Sequence, residues 1–410
     1  MLRKLAAGIL CAALTFSLAS CKDTTWSYKV EDTTITSGMY ITFQMNAYMD
    51  AQGLAEDSSK SVLEQKIEGK NAADWINSKV LESAKSYVAV EKKFDELGLT
   101  LSDSDKNKIN TQLENMWSYY QNVYEPNGAG KQSFKKILQN SYKSNLIFKK
   151  YYDEKGLEEV SKADLLKEFT ENYALVKYIQ MPMKDAKGNK LKTEGKAKLK
   201  KKAEAYVARL NKGEKIDDLI KEYEKILEKE KNAANSTSSN STSSGSASSS
   251  ASSAAASSAV SSAPVSSAAV SSAAATSSGS ASSGSASSGS ASSGTTSSGS
   301  KEEEKTDPNE VMIYKENETL TKKFKDGIFG AKNGVPTIVE DDENYYVTIR
   351  YDLSKNEKRF KDYHDTLLQN LKGDEFKEKL NTWSKDYKVE TNADSEKRYT
   401  LKKIKFPSYS

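Results

Sequence analysis

The sequence predicts an α+β protein with a helical N-terminal domain and a small second domain that contains strands. Three observations lead to this prediction. Between residues 72 and 146, apolar side chains recur at spacings of three and four, which is typical of packed helices. Residues 173–183 read YALVKYIQMPM, a composition typical of a buried strand. Residues 232–300 consist almost entirely of Ser, Ala, Gly and Thr, so we expect this tract to be a disordered linker.

Composition excludes several classes of protein. Lys and Arg number 61 against 57 for Asp and Glu, and this near balance argues against a nucleic-acid partner. One histidine, His364, and two cysteines, Cys11 and Cys21, cannot form a Cys/His zinc cluster or a disulfide framework. A histidine-dependent nucleophilic site would have to use His364. We therefore expect no metal and no small-molecule cofactor.

The N-terminus has the pattern of a secretory signal. Arg3 and Lys4 precede the mostly apolar residues 5–19, which are too few to span a bilayer. The segment ends in Leu-Ala-Ser-Cys21, which resembles the lipobox of bacterial lipoproteins. That resemblance implies that residues 1–21 are a lipoprotein signal peptide and that Cys21 carries the lipid. It further implies a lipid anchor at the extracytoplasmic face of a bacterial cell membrane. The alternative is an ordinary secretory signal with a cysteine present by chance.

Helices are predicted from residue 72 to residue 97 and again after Ser102. Ser102 and Asp105 have the spacing of a capping box at the start of the second of these helices. Further apolar stripes indicate that helices continue to about residue 146. The simplest interpretation of these stripes is packing between helices. The alternative is an exposed groove for a client peptide.

Beyond residue 171, the pattern predicts both strands and helices, on both sides of the serine-rich tract. The strand is followed by a lysine-rich stretch, 184–202, and by two helices that end near residues 210 and 227. After the tract we predict, in order, one short helix, two strands and one or two amphipathic helices, at 320–329, 335–340, 345–351 and 360–383. Lengthening a loop from about 15 residues to the length of the tract adds only about 1.4 kcal/mol to the entropic cost of closing the loop, so both flanks can belong to one domain.

The lysine-rich stretch allows two interpretations. It is either a solvated loop and helix face, or a surface for a polyanion such as phospholipid headgroups or wall polymers.

Three stretches resemble extracytoplasmic parvulin-type foldases, the PrsA-like lipoproteins and SurA. Residues 28–40 resemble the opening of their chaperone domain, and residues 94–105 resemble its helix–Gly–helix joint. Residues 176–181, 210–223 and 320–349 resemble parts of a parvulin domain that is split by the serine-rich tract. The resemblance covers most of the chain after Cys21, but its motifs are degenerate.

The resemblance implies a specific division of the chain. A chaperone-like helical domain would span 22–170 and be completed by C-terminal helices at 354–410. A divergent parvulin-like domain would comprise 171–231 and 301–353, and 232–300 would be the linker.

The resemblance also implies a prolyl pocket, with departures from the family pattern. Tyr178 and Tyr346 stand where parvulins usually have histidines, and Leu320 and Phe324 fall at pocket-lining positions, with Phe329 nearby. Each of these five residues is equally consistent with an ordinary core. No catalytic residue is assigned.

The implied function is a membrane-anchored protein-folding factor, a foldase or chaperone related to peptidyl-prolyl cis-trans isomerases, with reduced or absent isomerase activity as an open alternative. Its partners would be unfolded or secreted polypeptides, and the lipid would hold it to the membrane. The competing hypothesis is a non-catalytic envelope scaffold or adhesion lipoprotein with a serine-rich spacer. A two-lobed solute binder fits poorly, because no alternating α/β pattern is present.

Overall fold

The computed structural model describes residues 25–186, 188–238 and 307–406, and it divides them into two compact units. The first unit comprises residues 25–159 and 372–406, and the second comprises residues 160–238 and 307–371. The borders therefore lie at 159/160 and 371/372, whereas the sequence placed them at 170/171 and 353/354. Helices and antiparallel sheets occur together, which confirms the α+β class.

The first unit is built on four long helices: α1 (Ser37–Leu54), α2 (Ala72–Glu96), α3 (Asp103–Tyr124) and α4 (Lys131–Tyr152). Side chains cap three of their N-termini. Thr36 accepts from the backbone N of Met39 and Asn71 accepts from that of Ala73. Ser102 and Asp105 form both bonds of the capping box, so that prediction is confirmed.

Helix α1 is the centre of this unit because it is buried on nearly every side. Its first nine residues, SGMYITFQM, are all buried, so this part of the helix has neighbours on all faces. A three-stranded antiparallel sheet lies beside it, in the order β2 (Thr33–Thr36), β1 (Trp26–Val30), β9 (Val389–Thr391). The first and last parts of the described chain are therefore hydrogen-bonded in one sheet. A two-stranded ribbon of β3 (Lys66–Ile67) and β4 (Lys70–Asn71) precedes α2.

Two more helices contribute to the first unit. The second half of α9 (Glu357–Ser384) packs Phe376 edge-on against Phe148 of α4, with ring centroids 5.4 Å apart. The short α10 (Ala393–Arg398) follows β9. Its Ser395 is buried and lies 2.5 Å from the hydroxyl of Ser27 on β1. Residues 372–406 are thus integral to the core of the first unit.

The second unit is a four-stranded antiparallel sheet in the order β6-β5-β8-β7. Its strands are β5 (Tyr173–Pro182), β6 (Val311–Tyr314), β7 (Thr337–Glu340) and β8 (Asn344–Tyr351). Three of them follow the serine-rich tract, and β5 precedes it. Strand β6 and helix α5 (Lys162–Asn172) were not predicted from the sequence.

Helices cover both faces of this sheet. Helices α6 (Thr193–Asn211) and α7 (Ile216–Ser238) pack on the face that includes Ile179 and Val347. Helix α8 (Lys322–Gly330) packs on the face that includes Val176 and Tyr346. Helix α7 extends past residue 232, where we expected the disordered linker to begin. Alanines at 233 and 234 are strong helix formers, so adding turns to an existing helix there is favourable. Residues 239–300 of the expected linker lie outside the described residues.

A buried ammonium group connects the elements on the two sides of the tract. Lys177 of β5 is only 7% exposed, and its Nζ lies 3.1 and 2.9 Å from the carboxylate oxygens of Asp217, at the start of α7. It also binds the carboxylate of Asp307, the first described residue after the tract. Asn309 donates to Asp217 over 2.8 Å. The sheet and both chain segments are therefore held at one charged centre.

The pKa values at this centre follow from the pairing. Burial acts to lower the pKa of Lys177, but hydrogen bonds with Asp307 and Asp217 outweigh it and place the pKa above the usual value. Burial acts to raise the pKa of Asp217, but hydrogen bonds from Lys177 and Asn309 leave it lowered. The hydrogen bond from Lys177 lowers the pKa of Asp307.

We predict that Asp217→Asn lowers the free energy of unfolding of the second unit by about 2 kcal/mol. This is less than the 3–5 kcal/mol typical for breaking a fully buried pair, because the Asp217 side chain is 30% exposed and Asp307 remains. Hydrogen–deuterium exchange of residues 173–182 measures the change. All four tryptophans lie in the first unit, so their fluorescence reports separately on that unit.

The matched control is Asp342→Asn, which removes the exposed pair with Lys323 and should leave the free energy of unfolding almost unchanged, because solvent screens exposed ion pairs. The stabilisation from Lys177 and the two aspartates should be present above about pH 4 and be lost as the pH falls through the lowered aspartate pKa values. At the alkaline end it should be present below about pH 10.4 and be lost as the pH rises through the raised lysine pKa. Equal effects of the two variants would contradict this account.

Candidate functional site

The five pocket candidates from the sequence lie in one cluster on the α8 face of the second sheet. The rings of Tyr178, Phe324 and Tyr346 contact one another, with centroids 5.8 Å apart for Tyr178–Phe324, 5.5 Å for Tyr178–Tyr346 and 4.4 Å for Phe324–Tyr346. Leu320 and Phe329 pack against the same group. Phe324 and Tyr346 are buried, whereas the other three side chains are half-buried. The cluster thus has a buried floor and a partly accessible rim.

Strand alternation and register place the two tyrosines together. On β5, Ala174, Val176 and Tyr178 share one face because side chains alternate along a strand. In the antiparallel pairing with β8, Tyr178 is opposite Thr348 and Gln180 is opposite Tyr346. Tyr178 and Tyr346 are therefore diagonal neighbours on one face, within reach for aromatic side chains.

A polar network holds the Tyr346 hydroxyl inside the protein. That hydroxyl donates to Oδ2 of Asp341 over 3.1 Å and accepts from Nδ2 of Asn344 over 3.0 Å. Asp341 is 6% exposed, and its Oδ1 accepts from the backbone N of Glu343 and Asn344 at 2.8 and 2.7 Å. Thr321, the N-cap of α8, donates to Asp341 Oδ2 over 3.3 Å. Asp341 thereby joins the start of α8 to the turn between β7 and β8.

Tyr178 differs from Tyr346 in this respect. Its hydroxyl makes no hydrogen bond to any residue that the structure describes, and it keeps contact with solvent. Burial raises the pKa of Tyr178. Burial also raises the pKa of Tyr346, and the neighbouring charge of Asp341 adds to the effect. Both side chains are therefore neutral phenols at physiological pH, and Tyr178 has a free donor.

Arg350, which no pattern in the sequence indicated, fixes the other end of α8. Its Nη1 donates to the carbonyl oxygen of Phe329 over 2.7 Å, and its guanidinium lies 5.5 Å from the centre of the Phe329 ring. A cation at a helix C-terminus is favourable because the last carbonyls lack partners within the helix. Burial lowers the pKa of Arg350 from its usual value, yet at neutral pH the group stays charged. The contact sets the position of Phe329 at the rim.

Gly327 allows α8 to approach the sheet closely. A Cβ at this position would lie 2.4 Å from Cγ1 and 2.9 Å from Cγ2 of Val339 on β7. No ordinary packing accommodates such distances, so only glycine fits here without a shift of α8. A lone glycine in a short helix gave no signal of this contact in the sequence.

The cluster can bind apolar groups and donate one hydrogen bond. It consists of aromatic and aliphatic side chains, and its only free donor among the described residues is the Tyr178 hydroxyl. His364, the one histidine of the chain, belongs to α9 and is not in the cluster. The arrangement suits recognition of a small apolar ring next to a carbonyl group, and it contains no His-based acid–base pair.

The expected membrane anchor is not part of this cluster. Cys21, the expected lipid attachment site, is outside the described residues. Among the described helices, none is both long and apolar enough to cross a bilayer.

Comparison with known proteins gives similarity to solved structures but not to a sequence family. No family model matches the chain, and no curated protein matches it significantly. The crystal structure of PrsA from Bacillus subtilis is similar at 15% sequence identity over 78% of this chain and 88% of that chain, with a TM-score of 0.27. A score this low does not establish a shared fold, so the comparison does not assign a family.

We predict that Gly327→Ala destabilises the second unit by about 1–3 kcal/mol, because the added methyl group forces α8 away from Val339. Tyrosine near-ultraviolet circular dichroism should change with it, since Tyr178 and Tyr346 pack against Phe324 of α8. Urea unfolding measures the free energy.

Gly330→Ala is the matched control in the same helix. A Cβ there meets nothing within 4 Å, so this variant should be neutral or gain up to about 1 kcal/mol. The double variant Gly327→Ala/Val339→Ala should recover part of the loss. If Gly327→Ala is as stable as Gly330→Ala, close packing of α8 is not required.

Proposed function

We propose that this chain is an extracytoplasmic, lipid-anchored protein-folding factor of the parvulin type, and that the Tyr178 cluster of its second unit binds X–Pro segments of client polypeptides. One observation carries the proposal. Five residues that the sequence resemblance assigned to a prolyl pocket, from segments on both sides of a long tract, lie together around a free phenol donor. The lipobox-like sequence before Cys21 supports the lipid anchor and the extracytoplasmic location.

The chemistry of prolyl isomerisation is compatible with such a cluster. Rotation about a peptide bond breaks no covalent bond, and its barrier of about 18–20 kcal/mol comes from amide resonance. A site accelerates rotation if it binds the twisted amide more tightly than the planar one. The rim of Tyr178, Leu320 and Phe329 can contact the pyrrolidine ring, over the floor of Phe324 and Tyr346.

Tyr178 supplies the polar part of this recognition. Its hydroxyl can donate to a peptide carbonyl oxygen, because no described residue already accepts from it. The Tyr346 hydroxyl, by contrast, is bonded to Asp341 and positions the β7–β8 turn. The two tyrosines at the positions of family histidines therefore have different proposed roles. Tyr178 is the hydrogen-bond donor, and Tyr346 is a positioning residue.

The test is acceleration of isomerisation of an X–Pro peptide by the full chain in mild detergent. We expect the unchanged chain to give a rate above the uncatalysed one. Tyr178→Phe should lower kcat/KM about two- to tenfold, because it removes one neutral hydrogen bond. Tyr206→Phe is the control, since Tyr206 lies on the opposite face of the sheet and bonds Glu222. Its kcat/KM should equal that of the unchanged chain.

A parallel measurement follows aggregation of an unfolded client protein. Suppressed aggregation without isomerisation would support a folding factor and refute the catalytic role of the cluster. Absence of both activities would refute the proposal in favour of an envelope scaffold. An unchanged kcat/KM in Tyr178→Phe would remove Tyr178 as the donor.

A further inference from the structure

A second candidate binding surface lies in the first unit, between α2 and the second half of α9. The two helices line a groove of about 610 Å³, within the usual volume range of ligand sites. We call it the lysine groove, because Lys79 and Lys85 of α2 face Lys377 and Lys385 at the end of α9. Its lysines come from segments almost 300 residues apart in the sequence, and no motif connects them.

The positive charge of the lysine groove is incompletely compensated. Lys79 pairs with Glu82 at 3.1 Å, and the other groove carboxylate, Glu68, accepts from the indole nitrogen of Trp75. Lys85 donates to the main-chain carbonyl of Lys385 over 3.2 Å. Among the described residues, no carboxylate lies within 4.0 Å of the ammonium groups of Lys85, Lys377 and Lys385. Three cations thus line one groove without a paired anion.

Lys377 shows the consequence of this arrangement. The side chain is half-buried, and burial lowers its pKa, with a further lowering from the charge of Lys79. Carboxylates of Glu82, Asp374 and Glu68 act in the opposite direction but are too far away to pair. An anion in the groove would compensate for the solvation that the ammonium group of Lys377 loses on burial.

The spacing of the charges favours an extended chain over a compact anion. Lys377 and Asn381 of α9 and Lys385, directly after it, follow one another at four-residue intervals, so the backbone positions of the two lysines are about 12 Å apart along the helix axis. An extended polypeptide advances about 3.3 Å per residue and alternates its side chains between two faces, so that distance corresponds to side chains four residues apart on one face. Asn381, between the lysines, has amide groups that can donate to and accept from a peptide backbone.

The location argues against a phosphate site. Phosphate is usually held by arginine forks or by the free N–H groups at a helix N-terminus. The residues that line the groove include no arginine, and they lie away from the N-termini of α2 and α9. Its separate lysines can instead each pair with a single carboxylate.

We infer that the lysine groove binds an extended polypeptide segment whose Asp or Glu residues are four positions apart. This inference rests on the first unit alone and does not depend on the Tyr178 cluster. The groove would select clients by acidic side chains, whereas the proposed pocket would select them by proline.

The experiment uses fluorescence anisotropy of labelled peptides with the full chain in mild detergent. One peptide has twelve residues, with Glu at every fourth position among Ser, Ala and Gly. Its partner has the same composition with the three Glu residues adjacent. We expect the spaced peptide to bind at least threefold more tightly than the clustered one. Its affinity should also fall as ionic strength rises, because partly exposed charges are screened.

The variant Lys377→Gln/Lys385→Gln should weaken binding of the spaced peptide about tenfold, the effect of two partly exposed ion pairs. Lys108→Gln/Lys136→Gln is the charge-matched control, because both lysines are exposed and neither lines the groove. It should leave the affinity unchanged.

Three results would overturn the inference. Equal weakening by both double variants would show that general charge, not the groove, attracts the peptide. Equal binding of the two peptides would refute the spacing. Tighter binding of a short polyphosphate, weakened by Lys377→Gln/Lys385→Gln, would identify a phosphate site instead. X–Pro isomerisation by the unchanged chain is measured separately, so failure here leaves the proposed function untouched.

Discussion

The second unit depends on the charge of Lys177 being neutralised from two directions. A buried ammonium group on a central strand is unfavourable unless its partners are close and well oriented. Asp217 reaches it from the start of α7 and Asp307 from the segment that leads into β6. Asp217 precedes the serine-rich tract, as Lys177 does, whereas Asp307 follows it, so full neutralisation of Lys177 requires that both chain segments have met. The same meeting completes the sheet, because β5 pairs with β6 on one edge and β8 on the other.

The Tyr178 cluster is a consequence of how α8 is attached to that sheet. Thr321 and Asp341 fix the start of α8, Arg350 binds its last carbonyl groups, and Gly327 permits close contact in between. A helix of nine residues has little stability of its own, so its position comes almost wholly from these contacts. The cluster is therefore preorganised, and the Tyr178 hydroxyl is left free while other polar groups around it are satisfied. Preorganisation of this kind reduces the ordering cost of binding.

The two proposed surfaces differ in the physics of recognition. The Tyr178 cluster is neutral and largely apolar, so its interactions are short-ranged and little affected by salt. The lysine groove carries unpaired cations such as Lys377, so its interactions reach further and are screened by ions. Under the proposed function no nucleotide would drive release of a client, and both kinds of contact are individually weak and reversible. Clients that combine proline with spaced acidic residues would satisfy both surfaces.

The sequence by itself determined the local structure: helix periodicity, the capping box of Ser102 and Asp105, and the strand that contains Tyr178 all follow from interactions within a few residues. The sequence also indicated the five residues of the Tyr178 cluster as pocket candidates, although only through a family resemblance. Three features could be recognised only in the tertiary structure. They are strand β6, the close contact at Gly327 and the absence of a carboxylate partner for Lys377 among the described residues. Each of these is set by residues far apart in the chain, and periodicity carries no information about which distant segment becomes a neighbour. Long-range register and charge compensation are decided only when the whole unit packs.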